Sequence, residues 1–207
     1  MELTEVLQGS RVIPVVVTDD IDSAVPLAEC LYEAGIGTIE ITLRTDAALD
    51  VIRQIAAEVP QMVVGAGSLR EAEHVAAVKS VGASYGVAPG YTDALLDAAE
   101  ESDLPMIPGA ASPSEMMHLY ERGYALQKFF PAEVAGGIPF LKAVGAPLPE
   151  LSFVPTGGID ARLAEEYLAL PNVLAVGGSW LTPKKLLVAG DFEAIGKLAA
   201  DAARLGM

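Results

Sequence analysis

The sequence predicts an α/β fold, a single (β/α)8 TIM barrel with a short helix before its first strand, and three observations predict it. First, β-rich runs fall near residues 11–18, 38–43, 62–66, 84–88, 104–107, 125–130, 151–155 and 173–176. Second, the stretches between them are rich in Ala, Leu and Glu at helical spacing, and strands alternating with helices make parallel βαβ units. Third, the strands recur at just over twenty residues with no Gly/Ser-rich linker or composition break, so residues 1–207 read as one barrel domain.

Taken in order, the elements support this frame. Residues 2–9 form the short leading helix. The first strand runs into Thr18-Asp19-Asp20-Ile21, not into the G-x-G-x-x-G turn of the main rival, an open nucleotide-binding sheet. Ala24-Val25-Leu27-Ala28-Leu31 then carries helical spacing. Ser112-Pro113-Ser114-Glu115 reads as an N-cap, a proline at N1 and a glutamate at N3, which together satisfy the free N–H groups of a helix start. Ser68-Leu69-Arg70-Glu71 has the same form, and Thr182-Pro183 offers another cap with proline at N1. Pro89-Gly90 and Pro108-Gly109 read as tight turns after strands 4 and 5.

Composition narrows the function. Apolar residues make up 52% of the chain, enough for a sizeable core, yet no apolar run reaches the ~18 residues of a membrane span. The start, Met1-Glu2-Leu3-Thr4-Glu5, has no basic segment and does not read as a signal peptide. Cys30 is the only cysteine, so no internal disulfide forms, and the cytoplasm is the expected compartment. His74 and His118 lie in separate helical segments, so no metal site is expected. A net charge of −15 excludes nucleic acid as a partner, because phosphate backbones are held by clustered Lys and Arg. A small anionic substrate would need positive charge or N–H groups gathered locally.

The polar residues that stand out are those inside expected strands. In Thr38-Ile39-Glu40-Ile41-Thr42-Leu43-Arg44 the alternation is strict. Ile39, Ile41 and Leu43 should face the helices, which turns Thr38, Glu40, Thr42 and Arg44 into the barrel. In Leu126-Gln127-Lys128-Phe129-Phe130, an inward Leu126 places Lys128 and Phe130 inward too. Both charges lie toward C-terminal strand ends, where barrel enzymes keep their chemistry. A lysine amine attacks a ketone only when neutral, and burial beside another cation favours that form. The resulting iminium is an electron sink, and Glu40 is the carboxylate placed to move protons. Two plainer readings stand beside this one: a structural ion pair between Glu40 and Lys128 or Arg44, or a sixth strand of opposite parity with Lys128 reaching outward.

A second cluster lies after the last two strands, in Pro155-Thr156-Gly157-Gly158 and Gly177-Gly178-Ser179-Trp180. Glycines let backbone N–H groups approach an anion, and barrels often hold phosphate at this place. Either loop alone would be an ordinary turn. Ser68 either caps its helix or touches substrate, and Trp180 reads as packing.

Taken with Gly65-Ala66-Gly67 and Lys128-Phe129-Phe130-Pro131-Ala132-Glu133, these segments resemble, in order and over nearly the whole chain, the bacterial 2-keto-3-deoxy-6-phosphogluconate aldolases. That family includes members acting on 4-hydroxy-2-oxoglutarate. The resemblance implies a class I aldolase without metal or cofactor, built as a homotrimer and serving the Entner–Doudoroff pathway. It implies Lys128 as the Schiff-base lysine and Glu40 as the acid/base. Arg44 and Ser68 would hold the pyruvate carboxylate, and Thr156 would help set stereochemistry. Gly157, Gly158 and Ser179 would hold phosphate, with Pro89, Phe130 and Gly178 completing the substrate-binding set. The expected substrate is 2-keto-3-deoxy-6-phosphogluconate, cleaved to pyruvate and glyceraldehyde 3-phosphate; the alternatives are 4-hydroxy-2-oxoglutarate and the galactonate epimer. Position 68 usually carries Thr in that family, and position 88, here Ala88, often carries Ser. These departures bear on fine specificity, not on reaction type. A phosphosugar isomerase barrel or a non-catalytic phosphate-binding barrel would leave a buried Lys128 unexplained.

Overall fold

The computed structural model of the chain describes residues 3–206. Its strands, all paired in parallel, are β1 (Val12–Val16), β2 (Thr38–Thr42), β3 (Val63–Gly67), β4 (Tyr85–Val87), β5 (Met106–Ile107), β6 (Gly109–Ala110), β7 (Leu126–Phe129), β8 (Ser152–Pro155) and β9 (Val176–Gly178). Helices separate the successive strands, apart from β5 and β6, and the leading helix spans Leu3–Gly9. Residue 2, the expected start of that helix, lies outside the described residues.

The strands form a curled six-stranded sheet, ordered β5-β4-β3-β2-β1-β9, and a three-stranded sheet, ordered β6-β7-β8. This departs from the expected single ring of eight strands. The fifth strand is broken at Pro108, which has no N–H to give to a ladder and separates β5 from β6. The last strand also lies later than expected, at Val176–Gly178, with Val173 making only an isolated bridge to Phe153. A second isolated bridge joins Thr156 to Gly177.

Helices cover the outer face of the strands. In the helix Ala48–Glu58 the buried residues are Ala48, Val51, Ile52 and Ile55, a single stripe at helical spacing. Ile39, Ile41 and Phe129 belong to the large core between strands and helices, and Phe129 stacks on Phe140 at 5.0 Å. The inward face holds a smaller apolar cluster built on Ile13, Tyr85, Val87, Ile107 and Val154. Leu7, from the leading helix, joins it and closes it from below. Fully burying one such leucine contributes about 1.5–3 kcal/mol, which explains why so short a helix stays docked.

Of the expected caps, one forms as read. Ser112 Oγ accepts the Glu115 N–H at 3.4 Å, Pro113 occupies the first turn, and Glu115 Oε2 accepts from Ala111 N at 2.9 Å and Ser112 Oγ at 2.8 Å. Ser68 does not cap: its φ is +64° and the helix begins only at Ala72. Thr182 does not cap either, for the next helix begins at Lys184 behind Pro183, with no side-chain capping bond.

Candidate active site

Every residue of β2 is buried, as expected of a parallel strand covered on both faces. The alternation holds: Ile39 and Ile41 meet the helices, so Thr38, Glu40 and Thr42 point inward. Two of these satisfy themselves locally. Thr38 Oγ1 donates to Val63 O at 2.8 Å and shares a hydrogen bond with Tyr85 Oη, and Thr42 Oγ1 donates to Val16 O at 3.0 Å. Burial drives the Tyr85 phenol well above its usual range, with the Thr38 bond opposing and the Glu40 charge adding to it. It therefore stays neutral as a structural post.

Glu40 is 2% exposed and has no such local partner. On β7 the parity is set by Phe129 packing outward and Leu126 packing inward, so Lys128 faces inward, 6% exposed. Lys128 Nζ lies 3.6 Å from Glu40 Oε1. This is an ion-pair distance, longer than a hydrogen bond. The same nitrogen stands 5.4 Å from the centre of the Phe130 ring. In register, Glu40 faces Val15 on one side and Gly65 on the other, while Lys128 faces Gly109 and Val154. Strands from both sheets thus deliver the two charges to one point. The outward-reaching alternative for Lys128 does not hold.

A cavity of about 260 Å³ is lined by Arg44, Phe130, Thr156, Gly157, Gly158 and Ser179 among others. Lys128 and Glu40 do not line it, but Phe130, whose ring centre is 5.4 Å from Lys128 Nζ, and Val15, the register neighbour of Glu40, do. Gly178 also lines it. Arg44 reaches it from a turn, not from β2, which ends at Thr42; the residue is exposed and strand parity does not govern it. Among the described residues Arg44 makes no ion pair. Thr156 is 8% exposed, and its Oγ1 is buried without a partner. An unmet hydroxyl costs about 1–3 kcal/mol, so its retention at the cavity wall is a functional signal. The N–H groups of Gly157, Gly158 and Ser179 donate to no carbonyl among the described residues.

Two expected residues lie apart. Pro89 lines a different, shallow concavity with Leu69, Arg70 and Tyr91, and its carbonyl packs against Gly109. Ser68 is half-buried in left-handed backbone after Gly67, and does not line the cavity of Arg44 and Thr156. Gly178 has a packing reason for its glycine: a Cβ there would fall 1.6 Å from the Trp180 ring, which packs on the core as expected.

Sequence reasoning gave no role to Gly67, whose missing side chain makes room for the Glu40 carboxylate, or to Glu133. Glu133 N donates to Gly157 O at 3.2 Å, and its carboxylate accepts from Tyr167 Oη at 2.5 Å. It braces the glycine loop from outside. Nothing local in sequence marks either contact, since each joins distant segments.

Among the described residues no group of three or more His, Cys, Asp or Glu gathers as a metal site, and no helix is long and apolar enough to cross a membrane. Comparison with known proteins gives a consistent answer. A family model described as KDPG and KHG aldolase matches residues 3–198. A 2-dehydro-3-deoxy-phosphogluconate aldolase of Pseudoalteromonas atlantica is 47% identical over 198 residues, 96% of this chain and 92% of that one. The KHG/KDPG aldolase of Escherichia coli is 44% identical over 197 residues, 95% of this chain and 92% of its own. A crystal structure of KDPG aldolase from Legionella pneumophila, with pyruvate captured as a covalent carbinolamine, superposes with a TM-score of 0.95 at 40% identity, covering 98% of each chain.

Proposed function

The chain belongs to the KDPG and KHG aldolase family, and from that premise we propose how its own residues carry out a Schiff-base aldol cleavage. The reaction is the reversible splitting of 2-keto-3-deoxy-6-phosphogluconate into pyruvate and glyceraldehyde 3-phosphate. The neutral Lys128 amine attacks C2 of the keto acid, and the carbinolamine loses water to become an iminium. Glu40, by way of water, takes the proton of the C4 hydroxyl. The C3–C4 bond breaks, its electron pair passes into the iminium, and the aldehyde departs. Protonation of the enamine at C3 and hydrolysis then release pyruvate and restore the amine.

Arg44 pairs with the substrate carboxylate. The Ser68 hydroxyl lies outside the cavity of Arg44 and Thr156, one residue after the Gly67 that borders the Glu40 carboxylate, and its part in holding the substrate rests on the family resemblance alone. Thr156 meets the carbon bearing the C4 hydroxyl, and the free N–H groups of Gly157, Gly158 and Ser179 receive phosphate. The observation that carries this assignment is the inward Lys128–Glu40 pair at 3.6 Å beside a cavity with an unpaired arginine at its rim. The name of the Escherichia coli relative covers both substrates, so 4-hydroxy-2-oxoglutarate is a second candidate.

The two sheets are read as arcs of one (β/α)8 barrel domain over residues 1–207. Support comes from the bridges of Phe153 and Thr156 toward the β9 side, and from β5 and β6 being one strand interrupted at Pro108. A cytoplasmic homotrimer is the assembly expected from the family resemblance.

Intact-mass analysis after incubation with pyruvate and borohydride tests the assignment. One reduced pyruvate adduct is expected, with loss of activity, and none on Lys128→Ala. Labelling that survives in Lys128→Ala overturns it. Activity is also expected to withstand chelators.

A further inference from the structure

A second cavity, of about 420 Å³, adjoins the site and shares Val15, Val17 and Ser179 with it. Its own walls include Asp19, Thr182 and Lys184. Thr182 is 4% exposed, and its Oγ1 is buried with no hydrogen-bond partner. It is thus a second unmet threonine hydroxyl at the wall of this connected space, and the Thr156 role leaves it unexplained. Lys184 is exposed and makes no ion pair among the described residues. The glycine loops carry no cation, and the protein as a whole carries −15. A phosphate dianion entering such a field needs a local positive charge, and Arg44 is already engaged at the other end of the substrate.

We propose that this second cavity is the outer arm of the substrate channel, in which Lys184, with the hydroxyls of Thr182 and Ser179, binds the anionic terminus of the phosphorylated aldol. Ser179 stands on the wall common to both spaces, so a phosphate held at its N–H turns its outer oxygens toward Lys184. Asp19 lines the same arm and opposes the dianion, which limits how tightly that terminus is held. The inference rests on the cleavage reaction proposed above and makes Lys184 a specificity-determining residue for it.

The test compares 2-keto-3-deoxy-6-phosphogluconate with its dephosphorylated counterpart under steady-state conditions. In Lys184→Ala the ratio of the two kcat/KM values is expected to fall about tenfold, the effect of one charge-assisted hydrogen bond. Lys184→Arg should retain most of the ratio, Asp19→Asn should raise it, and Thr182→Val should lower it. Between roughly 20 and 200 mM salt the wild-type preference should decline, and that slope should flatten in Lys184→Ala. An unchanged ratio in Lys184→Ala, or an equal loss on both aldols, overturns the arm while leaving the cleavage chemistry standing. Wild-type protein that cleaves neither aldol overturns the reaction, and the arm with it.

Discussion

Glu40 keeps its carboxylate in the space that a side chain on Gly67 would fill: a Cβ there would lie 2.0 Å from Glu40 Oε1 and 2.7 Å from its Cγ. Because both the tip and the stem of the glutamate are too close, it cannot answer by a small rotation. Gly67→Ala is therefore expected to push the carboxylate off Lys128. Turnover should fall by about 10²–10⁴, the range for losing a positioned acid/base, while slow borohydride trapping on Lys128 persists. Normal turnover in Gly67→Ala would show that Glu40 need not stand where it does.

Glu40→Gln keeps the shape and removes the base. Turnover is expected to drop by about 10²–10⁴, with slower iminium formation and slower proton exchange at the pyruvate methyl. A variant that mainly melts earlier, with near-normal turnover, would identify the pair with Lys128 as structural, since removing one partner of a buried pair typically costs about 3–5 kcal/mol.

Thr156→Val replaces an unmet buried hydroxyl by a methyl group of similar size. Stability should rise by about 1 kcal/mol, because a desolvated donor without a partner is removed. Cleavage efficiency should fall together with the stereochemical preference at C4. A calorimetric Tm below wild type would mean that the hydroxyl is already satisfied and has no need of substrate.

Gly158 sits at φ +80°, and a Cβ there would come within 2.9 Å of Glu133 Cγ. Gly158→Ala therefore strains the backbone, by about 1–2 kcal/mol, and displaces the brace of the loop. The expected signature is a raised KM for the phosphorylated aldol with pyruvate trapping on Lys128 intact. Equal loss of trapping would make the loop a support for the fold instead.

The cap at Ser112 predicts one pH effect. The Ala111 N–H, and then the Ser112 hydroxyl, hold the Glu115 carboxyl below its usual range, against the opposing effect of burial. A depressed folded-state value contributes stability above the unfolded value, about 4.3, and loses it as pH falls through the folded one. The Tm difference between wild type and Glu115→Ala should thus be larger at pH 7 than at pH 3. A difference that grows on acidification would contradict the cap.

What sequence made legible follows from the range of each signal. The inward turn of Glu40 was readable because Ile39 and Ile41 fix a period of two, and Lys128 because Leu126 shares its face. The same rule carried Arg44 into the strand, although the strand stops at Thr42 and a turn brings the guanidinium to the cavity. Pro113 marked a true helix start beside Ser112, whereas Ser68 offered the same Ser-x-x-Glu spacing, without the proline, in left-handed backbone. β6, two residues long, is too short to show any period. Lys184 gains its place only because the fold sets Thr182 and Pro183 on the wall of the same cavity as Val17 and Asp19, a juxtaposition that no local pattern announces.

The leading helix has a kinetic consequence. Leu7 packs with Ile13 and Val154 in the apolar cluster of the inward face, and Lys128, the register neighbour of Val154, keeps only 6% of its surface exposed. Whatever bonds to Lys128 must enter first and leave last. In the condensing direction pyruvate therefore adds before the aldehyde. In the cleaving direction the aldehyde departs from a pyruvyl enamine still bonded to Lys128, so added pyruvate should compete with the aldol for the free amine, while added aldehyde, with no seat on the empty enzyme, should act by drawing that enamine back to substrate.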